Sequence, residues 1–209
     1  MNRILVLFAH PAFQKSRANK VLIDAYRDME NLTFRDLYEE YPDFNIDVGV
    51  EQQLLVESDI VIFHHPMYWY SCPALLKEWL DLVLEFGFAF GRGGTALEGK
   101  LLLTVITTGG SQEAYREEGH NRFSIGEFLI PFEQTAILCG MQYLPPFVAF
   151  GMHARPRIQT MEEHAARLRQ ILIALRDKKL EVAELRNCRF LHQALKMLED
   201  SGSSDANAR

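Results

Sequence analysis

His10, Ser16, Arg17 and Asn19 crowd hydrogen-bond donors and a permanent cation into one short stretch directly after the apolar run Ile4 to Ala9. Such donors at a helix entrance make an anion site, because the first backbone N–H groups of a helix lack internal partners. The same residues also read as an ordinary capped helix, with Ser16 entering it. No glycine precedes Gly49, so neither GxGxxG nor GxxxxGK[ST] is present, and a dinucleotide Rossmann turn or a P-loop is excluded here.

A second loop, Pro66-Met67-Tyr68-Trp69-Tyr70-Ser71-Cys72-Pro73, sets three rings side by side after another apolar run. Alternating core positions cannot bury all three, so at least one faces outward, as the wall of a planar-ligand site or as a dimer contact. Thr107, Thr108, Gly109 and Gly110 end a further apolar run, and paired glycines either admit a ligand edge to the backbone or make a turn. Gly87, Gly91, Gly93, Gly94 and Gly99, interleaved with Phe88, Phe90 and Arg92, mark a loop that moves, lies against a flat group, or forms a surface hairpin. His64-His65 invites a metal reading, yet neighbours on a strand point to opposite faces. Cys72 is either redox-sensitive or an inert buried thiol.

The elements that carry these loops follow from the apolar periodicity. Runs at Arg3 to Ala9, Thr33 to Leu37, Asp59 to His64, Leu101 to Ile106 and Tyr143 to Phe150 predict five strands. Helical stripes at Ala18 to Met29, Val50 to Glu57, Pro73 to Phe86, Ile125 to Cys139 and Met161 to Leu175 fall between or after them, and Val182 to Leu198 predicts an extra C-terminal helix. The alternation implies an α/β, flavodoxin-like, doubly wound five-stranded parallel sheet of order 2-1-3-4-5, with helices on both faces. In such sheets ligands bind at the carboxyl ends of the strands, where all these loops lie.

At 209 residues the chain is one domain, or one with an appendage. A net charge of −6 argues against nucleic acid and anionic lipid as partners. The charge is uneven: residues 1–154 hold 11 basic and 20 acidic side chains, and 155–209 hold 11 and 8. Cys72, Cys139 and Cys188 fit neither a disulfide framework nor a zinc site. No signal-peptide core or membrane span is legible, so a cytoplasmic protein is expected, reaching the membrane only through a partner.

Taken together, Ala9-His10-Pro11 with Ser16 and Asn19, the Pro66–Asp81 run, Gly93-Gly94-Thr95-Ala96-Leu97-Glu98-Gly99-Lys100 and Thr107-Thr108-Gly109-Gly110 resemble the NAD(P)H:quinone oxidoreductase (DT-diaphorase-like) flavodoxin-fold family. Within it, the chain is most similar to the flavin-binding ancillary proteins of bacterial glutathione-gated potassium efflux systems. The resemblance implies a flavin, FMN before FAD because the chain is short. It implies that His10, Ser16, Arg17 and Asn19 hold the flavin phosphate. Pro66, Met67, Tyr68, Trp69 and Tyr70 would line the isoalloxazine, and Thr107, Thr108, Gly109 and Gly110 its other side. Tyr115 matches an aromatic near the reactive face, while His120 matches a histidine of some members only. Residues 1–180 then form the flavin-binding domain, and 181–209 a helical extension with a flexible tail.

The implied activity is two-electron transfer from NAD(P)H to the flavin N5 and then to a quinone in one shared pocket, with ping-pong kinetics. Tyr115 and His120 would give hydrogen bonds or protons to the quinone oxygen. Relatives complete the pocket with a second chain, so a homodimer is implied, with segments 86–94 and 113–128 contributing. A second reading is a regulatory subunit docked on a potassium efflux antiporter, for which the eleven acidic side chains between Asp24 and Asp59 offer either a docking patch or an ordinary solvated face. A one-electron flavodoxin is disfavoured, since the first loop lacks the glycines of those carriers.

Overall fold

The computed structural model describes residues 1–154, 157–185 and 187–195. Its centre is three fully buried strands, β1 (Ile4–Phe8), β3 (Ile60–Pro66) and β4 (Leu101–Thr107). Each is a continuous apolar run because both faces of a parallel sheet are covered by helices. With β2 (Leu32–Asp36) and β5 (Gln142–Tyr143) the order is β2-β1-β3-β4-β5, all parallel. The expected fold class is therefore the observed one.

The fifth strand is split. After β5 the chain reaches Pro145 and Pro146, which have no N–H to give to the ladder, and pairing with β4 resumes only at β6 (Phe147–Ala149). Tyr143 faces Leu102 whereas Phe147 faces Val105, so an extra residue is accommodated as a bulge.

One face of the sheet carries Leu5, Leu7, Val61, Phe63 and Leu102, covered by α3 (Val48–Glu57), α4 (Ala74–Val83) and α5 (Ile125–Leu138). A short α2 (Leu37–Glu40) precedes them, capped by Asp36. The other face carries Ile4, Val6, Ile60, Ile62 and Leu103, covered by α1 (Arg17–Leu22) and α6 (Ile158–Arg176). The first helix is shorter than the stripe to Met29 predicts. After Leu22 it tightens into a 3-10 turn, Ile23–Tyr26, which seats the Tyr26 ring 5.6 Å from those of Phe34 and His64.

The single C-terminal helix expected over Val182 to Leu198 is not formed across its described part. α7 (Val182–Leu185), a 3-10 turn at Leu191–Gln193 and the α-helical Ala194 and Leu195 are separated by the non-helical residues 187–190. Packing overrides the stripe: Leu185, Leu191 and Ala194 are buried on the α1/α6 face, and Phe190 on the opposite one. The chain thus passes around the sheet edge, where Leu191 N donates to Pro146 O at 3.0 Å. An edge that would otherwise offer free carbonyls is covered. The expected flexible tail lies outside the described residues.

Candidate functional site

The strand register places the ends of β1, β3 and β4 in one row, Phe8 beside His64 and Pro66 beside Thr107. Three of the loops singled out in the sequence therefore meet at one edge of the sheet; the glycine-rich loop, expected there too, instead leads into the start of β4, where Gly99 N donates to Gly140 O. Ser16 caps α1 by accepting from Asn19 N at 3.2 Å. Because α1 has only six residues, its dipole is short and side-chain donors must carry more of any anion binding. His10 is nearly buried, and its Nδ1 accepts from Ala12 N at 3.1 Å, which leaves Nε2–H as the donor. Burial holds its pKa below the ordinary histidine value, so it is a neutral donor at pH 7. Its ring lies 6.0 Å from Tyr68, joining the first loop to the second. Arg17 is exposed at the helix entrance.

Tyr68 to Ser71 form a tight two-residue turn closed by Tyr68 N to Ser71 O (3.1 Å) and Ser71 N to Tyr68 O (2.9 Å). Trp69 and Tyr70 occupy its centre with φ of 47° and 62°, a left-handed conformation that costs an L-residue on the order of 1–2 kcal/mol. Among the described residues neither central N–H donates to another backbone group. Trp69 is 93% exposed, Tyr68 and Tyr70 are partly exposed, and Tyr70 stacks on Phe128 with centroids 4.9 Å apart. Strain and an exposed indole are retained together where function is expected to sit. Pro66 is buried at the end of β3, and Met67 N is tied to Thr107 O at 2.8 Å.

On the far side Thr107 and Thr108 are buried, and Thr108 donates to Gly110 O at 2.9 Å. Gly109 is required for packing: a Cβ there would lie 2.3 Å from His153 Nδ1. Its missing side chain makes room for an imidazole, a role the Gly-Gly pattern could not reveal. Tyr115 is 6% exposed, between Phe128 and Phe150, and burial raises its pKa although the Thr108 hydroxyl opposes the shift. His120 is exposed and makes no hydrogen bond among the described residues. The glycine-rich loop closes on itself through Gly87 N to Phe90 O and Ala96 N to Phe88 O. At Gly94 a Cβ would meet Phe90 O at 2.1 Å, so its glycine answers a close backbone approach.

The sequence missed the polar groups beneath the loops. His64 Nε2 lies 3.0 Å from Asn19 Oδ1 and its Nδ1 2.8 Å from the Tyr26 hydroxyl. Asn19 Nδ2 reaches Ser16 Oγ at 3.0 Å and Thr107 Oγ1 at 3.2 Å. Among the described residues the ring of His65, on the opposite face, bonds only Pro66 O, and its buried Nε2 has no partner. The histidine pair makes no metal cluster among the described residues. Cys72 and Cys139 line an apolar cavity of about 270 Å³ between α4 and α5, and burial raises both thiol pKa values, against a reactive thiolate.

A flavodoxin-like fold family profile matches residues 2–172. The glutathione-regulated potassium-efflux system ancillary protein KefG of Serratia proteamaculans is 50% identical over 163 residues, 78% of this chain and 88% of that protein. The NADPH-quinone reductase structure from P. pentosaceus is 32% identical with a TM-score of 0.73, covering 80% and 96% of the two chains. The chain belongs to the flavodoxin-like quinone reductase family. General stress protein 14 of Treponema denticola, solved in complex with FMN, matches this quinone reductase-like chain at 37% identity and a TM-score of 0.78, covering 83% and 99%.

The acidic segment of this flavodoxin-like protein is mostly engaged internally. Asp36 and Asp47 cap helices, Asp24 pairs with Arg27, and Asp59 accepts from Arg3 N. Glu51 is wholly buried. A solvated, structurally occupied face describes the segment better than a free patch. No helix among the described residues is long and apolar enough to cross a membrane.

Proposed function

We propose that the protein binds FMN at the joined ends of β1, β3 and β4 and acts as an NAD(P)H:quinone oxidoreductase. The observation that carries this reading is the convergence of His10, Ser16, Asn19 and Thr107 with the strained Tyr68–Ser71 turn at one sheet edge, in a chain 37% identical to an FMN-bound protein. The residues fit the group: the neutral His10 N–H, the Ser16 hydroxyl and Arg17 suit a phosphate, and the unpaired N–H groups of Trp69 and Tyr70 suit a polar ring edge. FMN when bound supplies two-electron acceptance from a nicotinamide and donation to a quinone.

The chain's own part is placement and proton supply. The Tyr68–Tyr70 rings and the Thr107–Gly110 loop form two walls, and Tyr115 and His120 hold hydrogen-bond donors for a quinone oxygen. Phe86, Phe123, Ile130 and Leu138 are exposed apolar side chains, Leu138 lining the α4/α5 cavity, and this surface supports a homodimer that shields the site. Extraction and identification of the cofactor of the purified protein, with an NAD(P)H–quinone assay, tests the proposal. FAD, or no flavin and no turnover, overturns it.

A second role is favoured by the KefG similarity. The protein serves as an ancillary subunit of a potassium efflux antiporter, and co-purification with that antiporter tests it.

A further inference from the structure

Beneath the Ser16 turn runs a chain of side-chain hydrogen bonds whose direction is set from one end. Tyr26 is 4% exposed, and its hydroxyl has one partner among the described residues, His64 Nδ1 at 2.8 Å. A buried phenol with a single partner donates, since accepting would strand its proton in an apolar surround. His64 Nδ1 therefore accepts and the ring proton sits on Nε2. Burial pushes the His64 pKa down to about 3, so the ring is neutral and has only that one proton to give. It goes to Asn19 Oδ1, 3.0 Å away.

With Oδ1 committed as acceptor, both Asn19 Nδ2 hydrogens point to hydroxyls, Ser16 Oγ and Thr107 Oγ1. Ser16 Oγ also accepts from Asn19 N, which fills its lone pairs. Its own proton has no acceptor among the described residues. The reverse polarity, with Nδ1–H on His64 and the Asn19 amide turned over, would direct the Ser16 and Thr107 protons to Asn19 Oδ1 and leave those hydroxyls as acceptors only.

We infer that Tyr26 and His64 are positioning residues that fix the hydrogen-bond polarity of the site and hold the Ser16 and Thr107 hydroxyls as donors toward an anionic, acceptor-only group. This rests on the flavin reading, in which that group is the FMN phosphate. A site of neutral donors favours phosphate without a buried charge of its own.

Two measurements on cofactor-free protein test the inference. Nitrogen-15 NMR of the imidazoles reads the His64 tautomer directly: Nε2–H is expected, and Nδ1–H overturns the polarity. Fluorescence titration with FMN and with riboflavin, which lacks the phosphate, reads the consequence. Tyr26→Phe and His64→Leu are expected to weaken FMN about tenfold, the loss of one hydrogen bond to a charged group, with riboflavin little changed. His64→Gln, whose amide can donate to Asn19, restores FMN binding. An unchanged FMN-to-riboflavin ratio in folded Tyr26→Phe protein overturns the inference. Wild-type protein that binds neither flavin overturns the flavin reading and the ligand half of the inference with it, while the tautomer still decides the polarity.

Discussion

Trp79 and Glu51 meet in the core, where the indole Nε1 donates to Oε2 at 2.9 Å and both side chains are fully buried. The other carboxylate oxygen accepts from the Tyr41 hydroxyl at 2.7 Å and pairs with Arg35 at 2.8 Å. The carboxylate thus ties α3 to α4 and β2, and it raises the Tyr41 pKa, already lifted by burial, to about 12. Removing it takes from Arg35 its buried counter-charge and leaves it only the half-exposed Glu40, 3.1 Å away. Glu51→Ala is expected to cost about 3–5 kcal/mol in urea unfolding, and Trp79→Phe, which orphans Oε2 and leaves a small void, at least about 1–3 kcal/mol. A Glu51→Ala loss below 1 kcal/mol would remove the carboxylate from the core's account.

Stability should fall in mild acid. His64 and His65 are held neutral by burial, with pKa values lowered to about 3 and about 4, whereas in the unfolded chain both titrate near 6.5. Below 6.5 the unfolded state therefore binds more protons than the native state, and stability is lost as pH falls from about 6.5 toward 4. Each histidine contributes at most about 1.4 kcal/mol per pH unit in that window. His65→Phe should abolish part of the slope and cost little at pH 7.5, since it removes the orphaned Nε2 and keeps a ring against Phe132. Unfolding curves at pH 7.5, 6.5 and 5.5 that superimpose would refute this.

Trp69 packs almost nothing and sits in a left-handed conformation. Trp69→Asn, which tolerates that conformation, should stabilise the cofactor-free protein by up to about 1 kcal/mol while weakening flavin binding. A lower melting temperature in the variant would show that the indole contributes packing.

The proposed proton donors differ in burial, so their substitutions should separate. His120→Ala, at an exposed site, should leave stability within about 0.5 kcal/mol, whereas Tyr115→Phe alters a buried hydroxyl. The double variant should lose quinone turnover while keeping its flavin. Full quinone reduction by that variant would dismiss both residues from the chemistry.

The C-terminal passage is predicted to be part of the stable fold. Leu191→Ala, at a fully buried position on the sheet edge, should cost about 2–5 kcal/mol. Near-neutral unfolding would mean that the clasp opens independently of the sheet.

The sequence by itself determined the sheet and the edge at which the loops after its central strands gather. Unbroken apolar runs such as Ile4–Phe8 and Ile60–Phe63, alternating with helical stripes, read as doubly covered parallel strands, and the polar and aromatic residues after them then gather at the carboxyl edge. It also placed Ser16 at a helix entrance, but it read Tyr143 to Phe150 as one strand and showed neither the break at the two prolines nor the resulting bulge. What only the tertiary structure decided depends on partners distant in the chain. Glu51 looks like one more surface acid until Arg35, Tyr41 and Trp79 surround it, and the stripe after Val182 looks helical until burial on two sides of a sheet edge outweighs it. The network from Tyr26 through His64 and Asn19 to Ser16 and Thr107 joins the first helix and the 3-10 turn after it to β3 and β4, and no local pattern encodes it. Periodicity reports which face a residue shares with its neighbours, whereas hydrogen-bond direction and burial are set by whichever distant groups the fold brings within 3 Å.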